Sequence, residues 1–140
     1  MTSAVSDSVA LQPSRQLKIL VAEDNIINQR VVVGLLAQLG HTGVVVGDGE
    51  KALKCLTKLQ FDAVLMDVMM PQMDGLQALA AIRALEASTG KHLPVLMATS
   101  HDEPGDGERF RRAGADGHLP KPIHLETLRA ELERVIHLQR

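Results

Sequence analysis

Five side chains at the ends of short apolar runs carry the chemistry this sequence can do. Asp67 closes Ala63-Val64-Leu65-Met66 and opens Val68-Met69-Met70-Pro71-Gln72-Met73-Asp74-Gly75. A carboxylate that ends a buried strand and enters a Pro/Gly turn faces the mouth of a pocket, not a core. Glu23 and Asp24 close an earlier run, Lys18-Ile19-Leu20-Val21-Ala22, while Thr99 ends Val95-Leu96-Met97-Ala98 and Lys121 follows His118-Leu119-Pro120. Carboxylates gathered in one shallow pocket repel each other, so either their pKa values rise or a cation neutralises them. Mg2+ suits such a pocket: it takes oxygen ligands, keeps several waters, and is typically held by one or two carboxylates plus a phosphate. The set points to a metal-assisted phosphoryl site with Asp67 as nucleophile, since carboxylates form covalent acyl phosphates. Lys121 offers a compact charge on a flexible stem and Thr99 a hydroxyl, both suited to phosphoryl oxygens.

These residues converge only if the elements between them place strand ends side by side. From Leu17 onward, short apolar runs alternate with helical periodicity. The first strand is Lys18–Ala22, apolar on both faces as a central parallel strand should be. A helix follows over about Asn28–Leu39, with Ile27, Val31, Leu35 and Leu39 every four residues and Val32 and Leu36 widening the stripe; Gly40 stands where a left-handed cap is wanted. Val44–Val46 is a second strand, and Ala52, Leu53, Leu56 and Leu59 mark a second helix. Ala63–Asp67 is the third strand. Gly75–Glu86 is the third helix, with Leu76, Leu79, Ile82 and Leu85 inward. The fourth strand is Val95–Ala98 within Pro94–Thr99, a fifth lies around His118-Leu119, and a last helix runs from about His124 with Leu125, Leu128, Leu132, Val135 and Ile136 on one face. Between Asp102 and Gly114, Pro104, Gly105 and Gly107 stand against helix, at about 3 kcal/mol for an interior proline and about 1 kcal/mol for each glycine relative to alanine. The fourth helix is therefore expected to begin near Glu108 and to be short and mobile.

Five strand–helix repeats imply an α/β fold, a parallel sheet with helices on both faces and right-handed crossovers. In such sheets ligands bind beyond the carboxyl ends of the strands where strand order reverses. In the order 2-1-3-4-5, strands one and three are neighbours at that point, which would bring Asp24 to Asp67.

Composition narrows the function classes. The chain has 140 residues, enough for one domain with a sizeable core, and 45% are hydrophobic. Fifteen basic against seventeen acidic residues, a net charge of −2, give no support for direct nucleic-acid binding, and an aromatic content of 1% argues against base stacking. With Cys55 as the single cysteine, no intrachain disulfide can form. No stretch approaches the ~20 apolar residues that span a bilayer. No signal-peptide pattern opens the chain, and the cytoplasm is the expected compartment. Residues 1–16, rich in serine, read as a linker or disordered tail. Cys55, among Leu53 and Leu56, reads as a packing residue.

Ile19-Leu20-Val21-Ala22-Glu23-Asp24-Asn25 followed by Asn28-Gln29 resembles the opening of receiver domains of two-component signalling proteins. Leu65-Met66-Asp67 through Met73-Asp74-Gly75 is similar to their phosphoacceptor segment, Pro94 to Ser100 to their switch strand, and Gly114-Ala115-Asp116 with Leu119-Pro120-Lys121-Pro122 to their closing motif. The wording is most like receivers attached to hybrid sensor histidine kinases, and the resemblance covers residues 17–138. It implies a flavodoxin-like (βα)5 fold that takes a phosphoryl group onto Asp67 from a histidine kinase or histidine phosphotransfer domain and is not itself an enzyme. It implies that Asp24 binds Mg2+ directly, Glu23 directly or through water, and the backbone carbonyl of Met69 completes the protein ligands. Thr99 is then the switch hydroxyl and Lys121 the phosphate-binding cation. The second switch residue of the family is usually Tyr or Phe; here His118 holds that place. A homodimer through the fourth and fifth helices is compatible with the resemblance but weakened by Pro104, Gly105 and Gly107.

Three other readings compete. A Mg2+-dependent aspartyl phosphatase would carry a second aspartate two residues after the nucleophile, where Met69 cannot transfer a proton. A receiver-like interaction module that is not phosphorylated would have no need of the full acid, Thr and Lys set. A flavodoxin-type cofactor binder would place a Ser/Thr/Gly loop, not Glu23-Asp24, after the first strand.

Overall fold

The computed structural model describes residues 16–100 and 103–138; the expected tail over 1–16 lies outside them except at its last residue. Five strands, β1 (Lys18–Ala22), β2 (Thr42–Val46), β3 (Ala63–Asp67), β4 (Val95–Thr99) and β5 (Gly117–Pro120), form one parallel sheet in the order β2-β1-β3-β4-β5. Helices α1 (Ile26–Gln38), α2 (Gly49–Lys58), α3 (Gly75–Thr89), α4 (Asp106–Arg112) and α5 (Leu125–Leu138) alternate with them.

Period-two alternation along the buried strands sorts the core into two layers. Ile19, Val21, Ala63, Leu65, Leu96 and Leu119 face Val32 and Leu36 of α1 and Leu128, Leu132 and Val135 of α5. Leu20, Ala22, Val64, Met66, Val95 and Met97 face Ala52 of α2, Ala78, Leu79 and Ile82 of α3, and Phe110 of α4. β1, β3 and β4 are almost wholly buried because helices cover both their faces, while the edge strand β2 is only half-buried.

Several boundaries differ from the sequence-based expectation. α1 starts at Ile26, two residues early, because the Asn25 side chain accepts from the Asn28 amide and caps it. Ile27 (64% exposed) and Val31 (47%) of the expected stripe face solvent. A four-residue repeat drifts around a helix of 3.6 residues per turn, so only Val32 and Leu36 reach the core fully, with Leu35 and Leu39 partly. Leu85 of α3 and Leu59 at the end of α2 are also exposed. α4 begins at Asp106 rather than Glu108: Gly105, at φ 92°, supplies its left-handed entry, so the glycine opens the helix instead of interrupting it. The helix is short, as expected. Cys55 is half-buried and packs against the core.

Candidate functional site

Strand register puts the chemistry at one edge of the sheet. Ala22 pairs with Met66, so Glu23 follows one strand as Asp67 ends the next; Asp67 pairs with Ala98, and Thr99 with Pro120. The chain leaves β5 by donating the Lys121 amide to the Thr99 carbonyl at 2.8 Å. All five residues expected from sequence to act together thus stand at the carboxyl ends of β1, β3, β4 and β5. Carboxylate oxygens of Glu23, Asp24 and Asp67 lie within 4.8 Å of one another. Lys121 Nζ bridges two of them, 2.9 Å from Glu23 Oε1 and 3.1 Å from Asp67 Oδ2.

Glu23, Asp67 and Thr99 are buried, and Asp24 is exposed at the rim. Burial and the neighbouring Glu23 charge raise the Asp67 carboxyl to about 6, against the opposing pull of Lys121 and the Met69 amide. Burial pushes Glu23 up too, but the Asn25 amide and Lys121 more than offset it and hold it below the ordinary carboxylate range. Lys121 loses by burial and gains more from Glu23 and Asp67, so its ammonium is held above the usual lysine range. One lysine therefore does not offset the negative charge that three acids bring together. The donor set is all hard oxygen with a surplus of negative charge, and a hard divalent cation such as Mg2+ fits both features.

Several supporting residues carried no assigned role in the sequence reading. The Asn25 amide donates to Glu23 Oε2 at 3.0 Å and Gln29 Nε2 to the Glu23 carbonyl at 2.7 Å. Asn25 standing directly before the apolar pair Ile26-Ile27 was the available signal for the cap. The Asp74–Gln77 pair forms a reciprocal capping box that fixes the start of α3, legible as Asp-x-x-Gln. A Cβ on Gly75 would lie 2.2 Å from the Asp67 carbonyl oxygen, so only glycine lets the loop fold back beneath the acid. Met69 is 69% exposed and donates its amide to Asp67 Oδ1 at 3.3 Å.

His118 stands apart from this cluster. Its register partner is Met97, two residues before Thr99. Its ring packs on Phe110 with centroids 5.7 Å apart, and a Cβ on Gly107 would meet His118 Cε1 at 3.0 Å. It therefore sits under α4 rather than at the acids.

Comparison with known proteins agrees with this geometry. The family model described as response regulator receiver domain matches residues 19–133. Hybrid signal transduction histidine kinase I of Dictyostelium discoideum is 39% identical over 116 residues, covering 79% of this chain and 7% of that protein. The first curated relatives are matched over 7% to 16% of their own length. The receiver domain of sensor histidine kinase PA1611 from Pseudomonas aeruginosa PAO1, with magnesium in its active-site cleft, superposes with a TM-score of 0.78 at 34% identity, covering 88% of this chain and 99% of that one. The receiver domain of the histidine kinase CKI1 from Arabidopsis thaliana, complexed with Mg2+ and BeF3-, gives a TM-score of 0.75 at 32% identity, covering 87% and 90%. Among the described residues no helix is long and apolar enough to cross a membrane. Fold order, acid cluster and sequence match agree, and the chain belongs to the response regulator receiver domains of two-component signalling.

Proposed function

We propose that Asp67 accepts a phosphoryl group from the phosphohistidine of a histidine kinase or histidine phosphotransfer partner, with Mg2+ in the acid cluster, and that the domain signals or relays it. One observation carries this reading: Glu23, Asp24 and Asp67 meet within 4.8 Å while Lys121 straddles Glu23 and Asp67. An Asp67 carboxylate oxygen attacks phosphorus. A P–O bond forms as the P–N bond to imidazole breaks, and the imidazole leaves with the bonding pair and is protonated from solvent. Lys121, already beside Asp67, follows the negative charge onto a phosphoryl oxygen. Thr99, on the adjacent strand end, donates its hydroxyl to another. When bound, Mg2+ neutralises phosphoryl charge as a Lewis acid; Glu23, Asp24, Asp67 and the Met69 backbone carbonyl would hold it. His118, packed between Phe110 and Gly107, is read as the partner of Thr99 that carries the change to α4.

Residues 17–138 are read as the receiver domain and 1–16 as a linker or disordered tail; if the chain is a fragment, its parent is read as a hybrid histidine kinase, which the names of two relatives support. The free Cys55 agrees with a cytoplasmic place. Turnover as a phosphatase is disfavoured by Met69, whose exposed thioether cannot transfer a proton.

The test is incubation with Mg2+ and acetyl phosphate, or with beryllofluoride, followed by intact mass and amide spectra. One phosphoryl group per chain, absent in Asp67→Asn, is the expected result. No modification and no binding with Mg2+ present would overturn the reading, and multiple turnover on phosphate esters would favour a phosphatase.

A further inference from the structure

The pocket rim carries a second kind of reactive atom. Met66 and Met97 are fully buried in the sheet, and Met70 and Met73 pack against the core, whereas Met69 is 69% exposed. Its amide bonds to Asp67 Oδ1, so its thioether stands on the segment that borders the phosphoacceptor carboxylate. Susceptibility of methionine to peroxides follows exposure, which separates Met69 from the other described methionines.

We propose that Met69 is a redox-modification site at which hydrogen peroxide forms a sulfoxide, and that this sulfoxide shortens the life of the phosphoryl group on Asp67. The proposal rests on the phosphoacceptor reading. In the oxidation, a sulfur lone pair attacks one peroxide oxygen. An S–O bond forms, the O–O bond breaks, and water leaves after proton transfer; sulfur loses two electrons and the peroxide gains them.

Loss of the phosphoryl group needs a water in line with the bond from Asp67 to phosphorus. The P–O bond to water forms, the bond to Asp67 breaks, the water's proton passes to phosphate or solvent, and the carboxylate is regenerated. Beside Asp67, Lys121 is already shared between the Asp67 carboxylate and Glu23. Met69, exposed and joined to the carboxylate through its amide, carries a thioether that is only a weak acceptor. A sulfoxide puts a strong acceptor oxygen on the same flexible stem, able to hold a water by one hydrogen beside the phosphoryl group. It is too weak a base to match the hundredfold or more of a positioned general base, so a roughly three- to tenfold acceleration is expected.

The experiment uses the full chain with Mg2+ and acetyl phosphate. After donor removal, loss of the phosphoryl group is followed by intact mass with and without brief hydrogen peroxide treatment, and peptide mapping locates the added oxygen. The expected result is oxidation at Met69 ahead of Met66, Met70, Met73 and Met97, a three- to tenfold shorter phosphoryl lifetime, and recovery after methionine sulfoxide reductase treatment. Met69→Leu, which retains Cys55 and is compared with itself before and after peroxide, should not respond. Oxygen landing on Met66, Met70, Met73 or Met97 before Met69, an unchanged lifetime in protein oxidised at Met69, or the same acceleration in Met69→Leu would each overturn the proposal. If the untreated protein takes no phosphoryl group, the phosphoacceptor reading falls and the proposal with it; a phosphoryl group indifferent to Met69 oxidation overturns the proposal alone.

Discussion

Asp67 is held in the fold at a cost. A carboxyl raised from 3.8 to about 6 by burial and by Glu23 binds its proton more readily folded than unfolded. Its contribution therefore disfavours folding above pH 6, and the penalty fades as pH falls from 6 toward 4, where both states become protonated. A shift of this size corresponds to at most ~3 kcal/mol, and the shared titration with Glu23 reduces it to on the order of 1–2 kcal/mol. Asp67→Asn should thus raise metal-free stability at pH 7.5 by about that amount and lose the advantage near pH 4.5, as read by urea denaturation at both values. An Asp67→Asn protein no more stable than the parent at pH 7.5 would show that Lys121 fully compensates the site. At this scale the sequence was highly legible. Glu23, Asp24, Asp67, Thr99 and Lys121 each end an apolar run, and a run that must be buried leaves its first polar residue at the sheet edge. Gln29 was less so, because its work is done through a hydrogen bond to the Glu23 carbonyl, which no spacing rule reveals.

Elements were legible as types and less so as faces. Helical periodicity located α1, α3 and α5, but it could not say which neighbour would cover each side chain. Ile27, Val31 and Leu85 accordingly point to solvent. α4 shows why composition misleads locally. Gly105 and Gly107 count against a helix by propensity, yet Gly105 opens it at positive φ and Gly107 makes room for His118. Alanine at position 107 would favour helix by up to ~1 kcal/mol, but its Cβ would press on the His118 ring at 3.0 Å. Gly107→Ala should therefore give no stabilisation in the parent protein and about 0.5–1 kcal/mol in a His118→Ala background. A double-mutant cycle in urea should report a coupling of about 0.5–1 kcal/mol. Additive effects would mean that α4 can move off β5 freely, and that Gly107 is not there for the ring.

The whole-molecule arrangement was legible because one topological fact organises it. Asp24 and Asp67 are far apart in sequence and meet only when β1 and β3 are neighbours, as the order β2-β1-β3-β4-β5 makes them. The unfolded chain has no such cluster, so a cation that binds it binds the folded state and stabilises it through linkage. At a Mg2+ concentration ten times its dissociation constant the gain is about 1.4 kcal/mol, and each further tenfold adds a similar amount. For a domain of this size that is a rise of roughly 3–7 °C in melting temperature. The gain should shrink in Asp24→Asn, which removes a rim ligand, and in Asp67→Asn. Metal and charge then work in opposite directions on the same carboxylate. Without Mg2+ the Asp67→Asn protein is the more stable of the two, and with rising Mg2+ the parent overtakes it. Melting curves across a Mg2+ titration at pH 7.5 should show the two lines crossing. Parallel lines would mean that the acids do not act together on a metal, and that the raised carboxyl is relieved by Lys121 alone.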